Sequence, residues 1–125
     1  MKINNSLDAY KLIKDDFDTF QEKVFIIGVD TKNNFKYKKL IGMGGNNYSV
    51  IDPLVIFRDL LLNNCTKFFL FHNHPSKDLT PSTEDIEITK IINKQSKIMN
   101  IGFLDHIIFS DENHYSFFDN DEGGF

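Results

Sequence analysis

The sequence predicts an α/β domain of the α+β type, in which helices pack against one mixed β-sheet. Short segments rich in β-branched and aromatic residues alternate with segments of helical periodicity. The chain has 125 residues, of which 41% are hydrophobic and 26% charged, and this suits a single domain over residues 1–125 that buries one core. The sequence contains no internal repeat, low-complexity tract or linker that would divide it.

The first part of the chain predicts a helix followed by a β-hairpin. Apolar residues at helical spacing predict a helix over 6–16, within an N-terminal helical segment that covers 1–18. EKVFIIGVD, residues 22–30, is rich in β-branched and aromatic residues and predicts a strand. The turn-forming TKNN that follows predicts that FKYKKLIGM, residues 35–43, returns antiparallel as the second arm of the hairpin.

The middle of the chain predicts a helix and then a central strand. Residues 43–52 contain two adjacent glycines and predict a loop. Pro53 favours a helix start, and we expect a helix over 53–64. The apolar stripe of that helix is expected to consist of Leu54, Val55, Leu61 and Leu62. KFFLF, residues 67–71, is a continuous apolar run with the length of a buried central strand.

The last part of the chain predicts the longest helix and two further strands. The helix is expected from residue 82 to about residue 100, and the strands GFLDHIIFS, 102–110, and HYSFF, 114–118, should flank a DEN turn. The tail, residues 119–125, is expected to fray. The element order is therefore helix, two strands, helix, strand, helix and two strands, which gives a mixed sheet covered by helices.

Composition excludes several classes of protein. A net charge of −4 argues against binding nucleic acid through a broad basic face. Cys65 is the single cysteine, which excludes a disulfide framework and a multi-cysteine zinc site, and we expect it to be a small buried hydrophobe. The polar amino terminus does not resemble a signal peptide, and no apolar run approaches the ~20 residues of a membrane span. A cytoplasmic location without membrane contact is the default expectation.

The stretch FHNHPSKDLTPSTED, residues 71–85, predicts a metal site. His72 and His74 follow the buried strand in extended chain, where side chains two residues apart project to the same side. Asp85 lies in the first turn of the next helix, whose start is marked by Ser82. Two histidines and one carboxylate are a common catalytic zinc set that leaves the fourth position to water. The expected cofactor is one Zn²⁺ per chain.

Each of these residues also has an ordinary structural interpretation. The histidines suit a polar strand end, and Ser82 with Asp85 fits a capping box that starts a helix. Capping does not require the histidines, however, so it does not explain the combination. Other zinc motifs are absent: the sequence has no H-E-x-x-H, and one cysteine cannot supply the P-C-x-x-C of the zinc deaminases.

The pattern H-x-H-P followed by S-x-x-D resembles the JAMM motif of JAB/MPN metallopeptidases. The segments HNHPS, TPSTEDIEITK and LDHIIF resemble the RadC-type branch of this superfamily, and QEKVFIIGVDTKN resembles the first strand of that branch. The resemblance extends over about residues 20–116, which is nearly the whole chain. It implies a JAB/MPN fold of cytidine-deaminase-like architecture, with helices packed on a mixed β-sheet.

The resemblance implies a role for each of five residues. His72, His74 and Asp85 would bind zinc, Glu22 would match the upstream catalytic glutamate, and Ser82 would match the serine next to the oxyanion. Zinc lowers the pKa of its bound water toward ~7, and a nearby carboxylate can take that proton and pass it to a leaving amine. Without the resemblance, Glu22 would be interpreted as a solvated glutamate at the start of a strand.

Two functions from different classes follow from these observations. The first is a zinc-dependent metallohydrolase, a JAMM-type metallopeptidase, that cleaves a peptide or isopeptide bond in a peptide or protein substrate. The second is a non-enzymatic or accessory module in DNA repair or mobile-element maintenance, as the RadC resemblance suggests. The sequence leaves the substrate and the choice between monomer and dimer open.

The chain departs from the RadC pattern at two places. Lys77 stands where the branch usually has the glycine of H-P-S-G-D, which puts a long cation at the rim of the predicted site. Leu54 and Val55 replace the arginine and glutamate of the branch's P-R-E run, so a charged contact made there in relatives is not expected here.

Overall fold

The computed structural model describes residues 1–15, 21–44 and 51–125. The end of the expected first helix and part of the glycine loop therefore lie outside the described residues. In chain order, the described elements are α1 (Ser6–Ile13), β1 (Lys23–Val29), β2 (Phe35–Met43), α2 (Pro53–Leu62), β3 (Lys67–Asn73), α3 (Thr83–Met99), β4 (Gly102–Phe109) and β5 (His114–Ser116).

The strands form one mixed sheet in the order β2-β1-β3-β4-β5. The strand β3 pairs with β4 in parallel, whereas the other three neighbouring pairs are antiparallel. Parallel neighbours need a long crossover, and α3 supplies it between β3 and β4. The predicted fold class, a mixed sheet with helices packed against it, is confirmed.

Helices cover both faces of the sheet. Side chains from α1 pack with one face in a cluster that includes Ile13, Ile27 and Phe71, and side chains from α2 and α3 pack with the other face in a cluster that includes Leu60, Leu70 and Ile92. Alternate residues of the central strands therefore enter different clusters, as the pleat requires. Among the described helices, none combines the length and apolar character that crossing a membrane requires.

The apolar stripe predicted for α2 is wrong. Leu54, Leu61 and Leu62 are 73%, 57% and 72% exposed, and Val55 is only partly buried. The buried residues of this helix are Ile56, Phe57, Asp59 and Leu60. Eight of its ten residues are apolar or proline, so hydrophobic periodicity does not determine which face is buried. The carboxylate of Asp59 lies on the buried side, where it pairs with Lys39, whose Nζ lies 3.3 Å from Asp59 Oδ2.

Residues 119–125 were expected to fray, but several of them make specific contacts with the rest of the fold. Asn93 Nδ2 donates to Gly123 O at 2.8 Å, and Glu122 N donates to Phe117 O at 2.9 Å. The ring of Phe125 packs edge-on against Phe103 with centroids 4.9 Å apart. Phe125 gives this segment apolar surface to bury against the cluster that α2 and α3 share with the sheet.

Cys65 is buried, as predicted, and packs under the first strand. A Cβ on Gly28 would lie 2.3 Å from Cys65 Sγ, so the strand needs glycine at this close approach. Burial raises the pKa of the Cys65 thiol. The cysteine therefore fills space beside β1.

Candidate metal centre

The pairing of β1 with β3 brings the start of one strand next to the end of the other. Val24 lies opposite His72 in the antiparallel register, and this brings Glu22, two residues before Val24, close to His74, two residues after His72. Side chains alternate between faces, which puts Glu22 on the same face as Val24 and His72. The sheet thus brings a carboxylate from the first strand to the histidine pair predicted at the end of the third.

Four side chains converge at this position. The Nε2 atoms of His72 and His74 are 3.0 Å apart. The Asp85 carboxylate faces both rings, with Oδ1 3.4 Å from His72 Nε2 and Oδ2 3.3 Å from His74 Nε2. Glu22 Oε1 lies 3.9 Å from His72 Nε2. One donor atom each from Glu22, His72 and His74 falls within 4.8 Å of the other two, so this cluster could hold a metal ion.

Hydrogen bonds within the cluster shift the pKa values of two of its donor groups. His74 Nδ1 lies 2.7 Å from Asp78 O, and since a carbonyl only accepts, the ring donates there and in its neutral form presents a lone pair at Nε2. Burial would lower the pKa of His74, but hydrogen bonds with Asp85 and Asp78 raise it overall. Burial would raise the pKa of Asp85, but hydrogen bonds from His72 and His74 hold it well below its usual range. A metal cation can take the place of these protons.

The start of α3 orients Asp85. Ser82 is the N-cap: its Oγ accepts from Asp85 N at 3.0 Å, and its own N–H donates to Asp85 Oδ2 at 2.9 Å, which completes a capping box. The positive end of the helix dipole also favours a carboxylate here. The capping interpretation and the metal interpretation are thus compatible, because the same box that starts the helix aims Asp85 at the histidines.

Asn73 is a functional candidate that sequence reasoning missed. Its Oδ1 accepts from Lys23 N at 2.6 Å and its Nδ2 donates to Gln21 O at 3.0 Å, so one side chain holds the backbone on both sides of Glu22. Asn73 lies between His72 and His74, and strand alternation turns its side chain away from theirs. The sequence signal that could have identified Asn73 was its position between the two histidines.

His106 is a second candidate that the sequence left without chemistry. Leu70 lies opposite His106 in the parallel pairing of β3 with β4, which sets the His106 ring beside His72. His106 Nε2 is 2.8 Å from His72 Nδ1, and His106 Nδ1 is 2.6 Å from Thr89 Oγ1. Burial is the main reason that the pKa of His106 lies well below its usual value. The available sequence signal for His106 was a histidine within the apolar run L-D-H-I-I, and no comparable signal marked Thr89.

A family model described as a RadC-like JAB domain matches residues 3–123 of the chain. The chain belongs to this family. The resemblance drawn from the HNHPS, TPSTEDIEITK and LDHIIF segments is therefore confirmed.

Curated relatives of this RadC-like JAB domain are named UPF0758 proteins. The chain is 39% identical over 117 residues to the UPF0758 protein from Clostridium perfringens strain 13, and the match covers 93% of this chain and 52% of the relative. It is 39% identical over 116 residues to one from Clostridium botulinum strain Langeland, covering 92% and 51%. A third, from Listeria monocytogenes strain EGD-e, is 38% identical over 110 residues, covering 87% and 49%. The chain thus spans about half the length of these relatives.

Proposed function

We propose that this RadC-like JAB domain is a zinc-dependent metallohydrolase that cleaves a peptide or isopeptide bond. The observation that carries the proposal is the convergence of His72, His74 and Asp85 on one point, with Glu22 beside it. These are the residues that the JAMM resemblance assigns, and membership of the JAB family supports the assignment.

The spacing of three donor groups suits zinc. Zinc bonds of ~2.0–2.1 Å at tetrahedral angles put neighbouring donor atoms roughly 3.3 Å apart. The two histidine Nε2 atoms are 3.0 Å apart, and the carboxylate of Asp85 faces both rings, with Oδ1 3.4 Å from His72 Nε2 and Oδ2 3.3 Å from His74 Nε2. Imidazole nitrogen and carboxylate oxygen are also donors that zinc prefers. The set leaves one tetrahedral position for water or substrate.

Two ligand sets share the histidines, and the distances favour the one that contains Asp85. The Glu22 carboxylate is 3.9 Å from His72, which is longer than a tetrahedral edge, whereas each Asp85 oxygen lies 3.4 Å or less from a histidine. The backbone hydrogen bond from Ser82 N to Asp85 Oδ2 in the capping box also fixes the direction of this carboxylate. Glu22 is therefore better suited to act beside the metal than to bind it.

Glu22 and Ser82 have separate roles in the proposed hydrolysis. Zinc bound here would supply a Lewis acid that lowers the pKa of a water molecule and polarises the scissile carbonyl. Glu22 accepts the proton of that water as general base and passes it to the leaving amine as general acid. The Ser82 hydroxyl accepts from Asp85 N, which leaves its own proton to donate to the developing oxyanion.

The test compares Glu22→Gln with the wild-type domain, both loaded with Zn²⁺, on a mixed library of peptides and isopeptides. We expect Glu22→Gln to bind one zinc per chain and to lose at least ~100-fold of the turnover, since a neutral amide cannot accept the proton. Glu84→Gln, an exposed glutamate in the first turn of α3, is the matched control and should retain full turnover.

The outcomes separate the two candidate functions. Turnover that survives in Glu22→Gln would remove the proposed base. A wild-type domain that binds stoichiometric zinc but hydrolyses no member of the library would count against the hydrolase and favour the accessory role.

A further inference from the structure

We infer that Thr89 and His106 are positioning residues that set the tautomer of His72, so that its Nε2 lone pair faces the metal. The inference rests on the metal site proposed above and extends it to two residues that do not touch the ion. They form a relay with His72, defined as His72 Nδ1, His106 Nε2 and Nδ1, Thr89 Oγ1 and the backbone carbonyl of Asp85.

The direction of the relay is set at its carbonyl end. Thr89 Oγ1 lies 2.6 Å from Asp85 O, and a backbone carbonyl has no proton, so the hydroxyl must donate. A hydroxyl has a single proton. Thr89 Oγ1 must therefore accept from its other neighbour, His106 Nδ1, which is also 2.6 Å away.

The same reasoning passes through His106 to the metal ligand. A neutral imidazole that carries its proton on Nδ1 has a lone pair on Nε2. His106 Nε2 then accepts from His72 Nδ1 at 2.8 Å, and neutral His72 has its own lone pair on Nε2. That atom is the one that lies 3.0 Å from His74 Nε2 and 3.4 Å from Asp85 Oδ1.

The relay is buried, and an aromatic ring packs against its central histidine. His72, Thr89 and His106 are each 0% exposed, so bulk water does not compete for their hydrogen bonds. The His106 ring stacks on Phe117 with centroids 4.5 Å apart and an interplanar angle of 5°. This stack fixes the plane of the ring and hence the direction of both of its nitrogens.

The relay also connects two of the proposed ligands. It begins at His72 on β3 and ends at the main chain of Asp85 on α3, so the helix that supplies the carboxylate also orients the histidine. His74 is oriented more directly, by Asp78 O. Such outer partners of metal-bound histidines raise ligand basicity and fix ring orientation, and their loss costs 10–100-fold in metal affinity in other sites.

The experiment measures Zn²⁺ affinity by competition with a chelator in the wild-type domain, Thr89→Val and Thr89→Ser. Valine keeps the shape of threonine but has no hydroxyl, whereas serine keeps the hydroxyl and loses only a methyl. We expect Thr89→Val to weaken zinc binding by about 10-fold or more and Thr89→Ser to stay within about 3-fold of wild type.

The second readout is the tautomer of His72, observed in the zinc-loaded wild-type domain by long-range ¹H–¹⁵N correlation spectra of the imidazole nitrogens. We expect a protonated Nδ1 on both His72 and His106. A proton on Nε2 of His106 would overturn the inference without any variant. A metal-loaded spectrum that retains the wild-type tautomers in Thr89→Val, together with wild-type zinc affinity, would also overturn it.

These results are distinguishable from failure of the proposed function. If the wild-type domain binds no zinc, the metal site itself is wrong. If the wild-type domain binds zinc and Thr89→Val binds it equally well, only the relay is wrong. Melting temperatures of the metal-free variants distinguish a loss of zinc affinity from a loss of folding. A purely structural role for Thr89 would lower the melting temperature of Thr89→Val.

Discussion

Lys77 has a left-handed backbone conformation in the loop that carries His74 toward α3. Its φ is 65°, a region that costs a residue with a Cβ roughly 1–2 kcal/mol and costs glycine very little. The RadC pattern of H-P-S-G-D has glycine at this position, and the conformation gives the reason. The side chain of Lys77 reaches Asp111 and Glu112 at 3.7 and 3.8 Å, but these ion pairs are exposed and stabilise little.

We expect Lys77→Gly to raise the free energy of unfolding by up to about 1 kcal/mol, because relief of the strained φ exceeds the lost ion pairs. The matched control is Lys77→Ala, which removes the same ion pairs but keeps the Cβ and should give no gain. Urea denaturation measures both variants. Equal stabilities for glycine and alanine at this position would show that the left-handed conformation is not strained.

At the scale of the element, Ser82 has two roles that one substitution confounds. It caps α3 through the hydrogen bond from Asp85 N, and it is proposed to donate to the oxyanion. Ser82→Ala should lower the free energy of unfolding by about 1 kcal/mol, since the cap is lost, and should also reduce turnover.

Glycine separates these roles because it costs only a few tenths of a kcal/mol as an N-cap relative to serine and has no side-chain donor. We expect Ser82→Gly to unfold within about half a kcal/mol of wild type while turnover falls as far as in Ser82→Ala. Thermal denaturation and the library assay measure the two effects. A glycine variant with wild-type turnover would leave Ser82 with capping alone.

The elements around the centre differ in how far the sequence could predict them. A two-residue spacing after an apolar strand was enough to bring His72 and His74 together, because strand alternation is local. Asp85 could also be predicted from local sequence, because the capping residues mark the start of the helix that contains it. Glu22 required the register of β1 against β3, which is a long-range property, and only the resemblance to the JAMM motif supplied it.

The missed features are also long-range. The relay from His106 to Thr89 depends on the parallel register of β3 and β4 and on the placement of α3 over both strands, and no local pattern encodes either. The face of α2 was predicted wrongly because apolar residues surround that helix, so burial followed tertiary packing. The tail packs against α3 at Gly123, where a Cβ would lie only 2.5 Å from Thr89 Cγ2, and against β4 through the contact of Phe125 with Phe103.

At the scale of the whole molecule, Asp105 should make stability depend on pH. Burial raises its pKa to about 6, although Ser116 and the backbone of Phe118 donate hydrogen bonds to it. Its ordinary pKa is about 4, so between about pH 4 and pH 6 the folded chain binds more protons than the unfolded chain. This carboxyl therefore contributes stability at low pH that is lost as the pH rises through about 6.

We expect the difference in unfolding free energy between wild type and Asp105→Asn to change by roughly 2 kcal/mol from pH 4 to pH 7, with the wild type losing the stability. Asparagine keeps an acceptor for Phe118 N and does not titrate. Denaturation of both proteins at several pH values gives the difference. A difference that is flat over this range would mean that Asp105 ionises normally in the folded chain.

The central claim is the ligand set of the metal centre, and a crystal structure of the zinc-loaded domain with anomalous data at the zinc absorption edge tests it most directly. We predict one anomalous peak bonded to Nε2 of His72, Nε2 of His74 and a carboxylate oxygen of Asp85, with the Glu22 carboxylate within hydrogen-bonding distance of the fourth ligand. A zinc ion bonded to Glu22 in place of Asp85, or no peak between the two histidines, would contradict the account.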